Sequence, residues 1–371
     1  MTPFSNLPPA ERALVINEAA SRLGLAPLIV EKDFWVCWTL ARVFEVEAVA
    51  PHVVFKGGTS LSKVFGAIQR FSEDIDLAVS PRALGFEAAE LDEAPSVSQR
   101  RKRVQALEAE CERCVAERFR PALEAAIAAK LGVPRQADTW LRYEIDALAG
   151  TPNLLFTYPS ALAPAGGYIA KQVKLEFGAL TDQQPTGTHG ITALLAETPG
   201  VDLAGAYDDL RASVVALEIT RTFWEKATIL HAEHHGPPEL PNRDRFARHY
   251  ADFEALWRHP SRADALARLD LLEDVVRHKS RFFASAWTHY ETARPGTFRL
   301  VPPPARHAAL ARDYATMAPM LIAAPIEFDV MLRRLQAAEQ QLNDGSLLRP
   351  ARSSGRGGMS RGTVRTPKKR T

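Results

Sequence analysis

The stretch from His52 to Val79 constrains the fold more than any other part of this chain. His52-Val53-Val54-Phe55 is β-branched and aromatic and is closed by Gly57-Gly58, so it reads as a short buried strand ending in a sharp turn. Leu61 to Ile68 reads as a helix whose start lies near Ser60, and Ile75-Asp76-Leu77-Ala78-Val79 alternates faces as a second strand. Asp74 and Asp76 then point to one face, because strand side chains repeat every two residues. Two bare carboxylates about 4 Å apart at an effective dielectric of about 20 repel by on the order of 4 kcal/mol. The pair therefore asks for a cation.

The glycines supply the complementary half. Gly57 and Gly58 let the backbone turn and approach a phosphate with no Cβ in the way. The helix that follows presents unpaired N–H groups to the same anion, and Thr59 and Ser60 are expected to add hydroxyl donors. The glycine spacing is not that of a P-loop, which disfavours P-loop ATPase chemistry. Two divalent ions held by carboxylates can neutralise a triphosphate, activate a hydroxyl and stabilise leaving pyrophosphate, so Mg2+ or Mn2+ is the expected cofactor. Glu176 is the candidate third carboxylate. It lies on a strand in which Val173, Leu175 and Phe177 alternate with Lys174 and Glu176, and the alternative is a solvated acid paired with Lys174.

The rest of the chain reads as an α+β catalytic part followed by helices. Two helices, about Pro9 to Leu23 and Pro27 to Glu45, open it, and the second carries an apolar stripe of Val30, Phe34, Cys37, Ala41 and Phe44. A long helical insertion runs from about Ser96 to Leu131, with a kink expected at Pro121. Strands are expected at Trp140 to Ala147, Asn153 to Tyr158, Tyr168 to Phe177 and Ala212 to Leu217, with a Gly/Pro/Thr loop before the last. From Thr220 to about Asn343 nearly everything reads as helix. The expected division is 1–50 as helices packing on the core, 51–218 as the catalytic domain, 219–345 as a helical domain and 346–371 as a tail.

Net charge +2 conceals an asymmetry, since Pro350 to Thr371 holds five arginines, two lysines and no acid, leaving the remainder at −5. That tail is too polar to repay its ordering entropy and reads as disordered, either a contact for nucleic acid or an acidic partner or a solubilising terminus. Three cysteines in the chain make no disulfide framework, and no run of about 18 apolar residues suits a membrane span. No secretory signal is visible at the N-terminus, so a cytoplasmic setting is expected.

The segments Lys56-Gly57-Gly58-Thr59-Ser60-Leu61 and Arg70-Phe71-Ser72-Glu73-Asp74-Ile75-Asp76-Leu77 resemble the first motif of the AbiEii/AbiGii nucleotidyltransferase toxins, relatives of the MenT toxins. Glu31-Lys32-Asp33-Phe34-Trp35-Val36, Arg221-Thr222-Phe223-Trp224-Glu225-Lys226 and Arg248-His249-Tyr250-Ala251-Asp252-Phe253 are similar to further segments of that family. The resemblance implies a polymerase-β-type nucleotidyltransferase domain with a mixed sheet and a helical C-terminal domain. It implies a toxin of a toxin–antitoxin or phage-defence pair, with a cognate antitoxin, that adds a nucleotide from a nucleoside triphosphate to RNA, tRNA above all. It also implies that Lys226 contacts the nucleotide phosphates, that Asp252 completes the catalytic set and that Arg248 belongs to the nucleotide site.

These late residues have plainer readings. Lys226 borders an apolar helix stripe of Ile219, Phe223, Ala227 and Leu230, where a lysine can also snorkel. Arg248 and Asp252, four apart, can pair across a helix turn. A protein or small-molecule acceptor, or a nucleotide-binding protein without activity, are the alternatives to RNA modification. Cys111 and Cys114 lack a second pair for zinc, and His231, His234 and His235 sit where a helix ends. The run Arg100-Arg101-Lys102-Arg103 is either an RNA contact or a solvated helix face.

Overall fold

The computed structural model describes residues 2–87, 96–134, 138–147, 149–163, 170–239, 243–283, 285–322 and 326–344. The basic tail expected from residue 346 lies outside them. The helices are α1 (Pro9–Leu23), α2 (Pro27–Glu45), α3 (Gly57–Lys63), α4 (Val97–Cys114), α5 (Arg120–Leu131), α6 (Leu203–Ala206), α7 (Ile219–His234), α8 (Ala247–Arg258), α9 (Arg262–Ala267), α10 (Leu269–Phe282), α11 (His307–Thr316) and α12 (Phe328–Asn343). The strands are β1 (Val53–Lys56), β2 (Asp74–Val79), β3 (Leu141–Ile145), β4 (Pro152–Phe156), β5 (Val173–Gly178), β6 (Thr186–Thr192) and β7 (Arg211–Leu217). They form one mixed sheet in the order β3-β4-β5-β2-β1-β7-β6.

Strand alternation gives the sheet two unlike faces. Val53, Phe55, Ile75, Leu77, Val79, Val173, Leu175, Phe177, Val214 and Ala216 share a large apolar core with α1, α2, α4 and α5. The other face carries Lys56, Asp74, Asp76, Lys174 and Glu176, which are half-exposed. A second core gathers α7 to α12, together with Leu61, Ala67 and Ile68 from the segment around α3. The class expected from the sequence, a mixed sheet followed by helices, is the class observed.

Helix α2 departs from a simple amphipathic stripe, being buried on every side from Ile29 to Val43. Its polar residues are each partnered. Glu31 accepts from Ser160 Oγ at 2.8 Å and Ala161 N at 2.6 Å, Lys32 donates to Glu73 at 2.5 Å, and Asp33 pairs with Lys63 at 2.7 Å while accepting from Leu194 N. Buried charges persist only when paired and hydrogen-bonded, and here the pairing ties one helix to the loops around the sheet.

Several boundaries differ from the sequence reading. The helix after β1 begins at Gly57 and ends at Lys63, because Gly66 takes a left-handed φ of 59° and Ala67 N returns to Leu61 O at 2.8 Å. The expected loop before β7 contains β6, which pairs with β7 from Thr186↔Leu217 to Thr192↔Arg211. The strand expected from Tyr168 begins at Val173, with residues 164–169 outside the described set. The helical insertion is interrupted by a π-helical stretch at Val115–Phe119, just before Pro121, whose missing N–H cannot bond back into the preceding turn.

Candidate active site

The site is built where β1 ends, at the start of β2 and β5. Lys56 lies opposite Asp76 in the antiparallel β1–β2 ladder, and the parallel β2–β5 ladder sets Asp74 beside Lys174 and Asp76 beside Glu176. The three acids named from the sequence therefore share one face on adjacent strands. Gly57 adopts φ 82°, a left-handed conformation that disfavours side chains, and a Cβ there would overlap the Asp76 carboxylate. Gly58 is required for a second reason, since its Cβ would lie 2.6 Å from Arg70 Nη2 and 2.9 Å from Ser72 Oγ.

Thr59 and Ser60 do not offer the hydroxyls expected of them. Both are fully buried. Thr59 Oγ1 donates to the carbonyl of Asp74 at 2.5 Å and lies 2.9 Å from Ser72 Oγ, while Ser60 Oγ donates to the carbonyl of Gly57 at 2.9 Å. Short hydroxyl side chains facing the loop satisfy backbone groups that burial would otherwise orphan. Their part is to fix the turn against β2.

The carboxylates perturb one another. Burial, with Glu176, Asp76 and Glu73 nearby, pushes the Asp74 carboxyl up to about 7, against a smaller opposing pull from Lys174. Burial is the larger cause of this shift, and the neighbouring acids add to it. The all-oxygen donor set suits a hard divalent ion. Glu176 is turned onto the ammonium of Lys174, and among the described residues no three His, Cys, Asp or Glu side chains are already gathered around one point.

Behind the glycine turn lies a buried ion cluster. Arg70 makes a bidentate pair with Asp252 of α8, Nε to Oδ1 at 2.8 Å and Nη2 to Oδ2 at 2.9 Å. Lys226 of α7 donates to the same Oδ2 at 2.8 Å and meets His249 Nδ1 at 3.1 Å. Asp252 is 1% exposed and Lys226 7%. Burial alone would raise the Asp252 carboxyl, but Arg70 and Lys226 outweigh it and hold it well below the carboxylate range. Arg70 lies against the glycine turn, and burial draws the Lys226 ammonium below the usual lysine range against the opposing pull of Asp252. The strand-like stitch of Arg70 to Leu321, with Phe71 N on Met320 O at 2.6 Å, binds the same segment to the helical part.

Asp252 thus serves as the shared carboxylate of Arg70 and Lys226, and Arg70 also feels the charges of Asp76 and Asp74. The expected Arg248–Asp252 pair across the helix turn is not made; Asp252 bonds Arg70 and Lys226 instead. Arg248 is half-buried near Lys226 and His249, and its side chain has no ion-pair or hydrogen-bond partner among the described residues. Sequence reasoning missed Arg70 as a site residue, and its only signal was its place at the head of the motif ending in Asp76. It also missed Lys32, which reaches Glu73 next to Asp74.

The discounted signals stay outside the site. Cys111 and Cys114 are free and buried in the core behind the sheet. His231 is neutral, pushed down to about 4 by burial and then by His235, and both its nitrogens are used, Nε2 on His289 O and Thr292 Oγ1 and Nδ1 accepting from Arg299 N. Arg101 and Lys102 are exposed on α4, in the layer behind the sheet and away from the carboxylate face.

A mixed sheet that sets an Asp-x-Asp strand beside a third acid, at the mouth of a glycine-turned helix, is the framework of a nucleotidyltransferase. The chain belongs to the nucleotidyl transferase AbiEii toxin family of type IV toxin–antitoxin systems, whose family model matches residues 38–336. Among solved structures, MenT4, a nucleotidyltransferase toxin from Mycobacterium tuberculosis H37Rv, is similar over 93% of this chain and 100% of that chain, at 16% identity and a TM-score of 0.40. No curated protein matches the chain.

Proposed function

We propose that this toxin transfers a nucleotide from a nucleoside triphosphate to a 3′ hydroxyl of RNA, tRNA above all, in a reaction that needs Mg2+ or Mn2+, and that a cognate antitoxin opposes it in a phage-defence setting. The observation that carries this reading is the placement of Asp74, Asp76 and Glu176 on one sheet face beside the Gly57-Gly58 turn. Asp74, Asp76 and Glu176 would hold the ions, and bound divalent ions supply charge neutralisation for the triphosphate and the departing pyrophosphate. The remaining work falls to the chain. The first-turn amides of α3 and the Arg70–Asp252–Lys226 cluster bind and orient the phosphates, with Arg248, whose side chain has no partner among the described residues, as a further cation. The acceptor oxygen bonds to the α-phosphorus as the bond from that phosphorus to the β-phosphate oxygen breaks. Its proton passes to Glu176, and pyrophosphate leaves.

The acceptor class is tested in cell extract with α-labelled triphosphates. Label entering the high-molecular-weight fraction is expected to disappear on RNase treatment and never to form when EDTA is present from the start. Label that survives RNase and follows protein or small molecules would replace RNA as the acceptor.

A further inference from the structure

Lys174 lies on the carboxylate face and has no task in the reaction above. Its position is set by β5, where residues two apart share a face, so Lys174 and Glu176 project together and Asp74 lies directly beside Lys174 on β2. The ammonium contacts Glu176 Oε1 and, on its other side, Asp146 Oδ2 at 3.0 Å. Asp146 is fixed for that contact, because its other oxygen accepts from Ala149 N at 2.9 Å and its carbonyl from Gly150 N at 2.8 Å. With its amide turned to satisfy its neighbours, Asn153 of β4 adds an oxygen 3.3 Å from the same ammonium. The Lys174 side chain is 23% exposed and that of Glu176 33%, so both are within reach of solvent ions.

We infer that Lys174 is the resident counter-ion of the carboxylate cluster, occupying Glu176 until a divalent cation displaces it, and that Asp146 is where its ammonium withdraws. The inference rests on the metal-dependent reading of Asp74, Asp76 and Glu176. Its physical basis is competition. An ammonium on Glu176 neutralises one acid, but it also repels a dication approaching Asp74 and Asp76. A flexible lysine stem with a second carboxylate waiting can give way without leaving a charge unpaired. Lys174 thereby keeps the acids compatible with folding while weakening their hold on metal, so that loading depends on the triphosphate arriving with its own cation.

The test is Mn2+ binding to the full chain without nucleotide, by titration calorimetry. Lys174→Met is expected to bind about tenfold more tightly than wild type, and Lys174→Gln to behave likewise should the Met variant fold poorly. Asp146→Asn is expected to bind more weakly, and to have no effect in the Lys174→Met background. Mn2+ should also raise the thermal midpoint more in Lys174→Met than in wild type. Asp76→Asn should abolish binding in every background. Unchanged or weaker Mn2+ affinity in both Lys174 variants, with the Asp76→Asn loss intact, would overturn the counter-ion role and leave the metal reading standing. Absence of Asp76-dependent binding in wild type and in both Lys174 variants would remove both.

Discussion

Asp252→Ala is expected to destabilise the protein by about 3–5 kcal/mol, the cost of breaking a buried pair by removing one partner. The wild-type carboxylate serves Arg70 at 2.8 and 2.9 Å and Lys226 at 2.8 Å, all nearly excluded from solvent. Without it, two cations face each other in a buried pocket, with His249 as the remaining polar neighbour of Lys226. The same pair ties the segment before β2 to α8, so the loss is felt by both cores. Thermal unfolding followed by circular dichroism measures it. A midpoint unchanged within a degree would contradict the buried cluster. Asp252→Asn should fall between wild type and Asp252→Ala, since an amide keeps an acceptor oxygen but not the charge.

The second large effect concerns Gly57. Gly57→Ala is expected to cost about 1–2 kcal/mol for a left-handed backbone alone, and more once the added methyl drives the Asp76 carboxylate from its place. Nucleotide transfer should fall by about a hundredfold or more, because a displacement near 1 Å at a reacting centre costs on that order. Gly66→Ala is the control. Gly66 also has a positive φ, 59°, but an added Cβ meets nothing within 4 Å. It should share the backbone cost and keep its activity relative to folded protein. Equal activity losses in the two variants would show that the Asp76 contact is not what makes Gly57 necessary.

The chemistry-bearing part of the fold was legible because its signals are local. Val53-Val54-Phe55, the paired glycines and the Asp74-x-Asp76 alternation lie within thirty residues, and each follows from period, turn chemistry or β propensity. Glu176 was legible for the same reason, as a polar residue alternating with Val173, Leu175 and Phe177. Strand β6 was not, because Thr186–Thr192 is a Gly- and Thr-rich edge strand in which only Ile191 is buried, and its ladder with β7 is what makes it a strand. The inward turn of Thr59 and Ser60 was equally hidden, since a hydroxyl before a phosphate and a hydroxyl on a carbonyl have the same sequence.

Long-range ion pairs are illegible for a different reason. Arg70 and Asp252 are 182 residues apart, and nothing near either one names the other. The spacing of Arg248 and Asp252 suggested a local pair worth a few tenths of a kcal/mol, and the buried alternative with Arg70 and Lys226 won because a desolvated carboxylate needs more than one arginine can supply. Helix α2 shows the same limit. Its apolar stripe was read correctly as a packing face, but Glu31, Lys32 and Asp33 are buried as well because distant segments, including the end of α3, bring them partners.

The central claim is that Asp74 and Asp76 form the heart of a nucleotidyl-transfer site acting on RNA. Purified protein incubated with each α-labelled nucleoside triphosphate, Mg2+ and total RNA tests it most directly. The account predicts label at RNA 3′ ends with wild type and none with Asp76→Asn, whose thermal midpoint should stay at or above that of wild type because a repelling charge is removed. Labelling retained by a folded Asp76→Asn protein would contradict it.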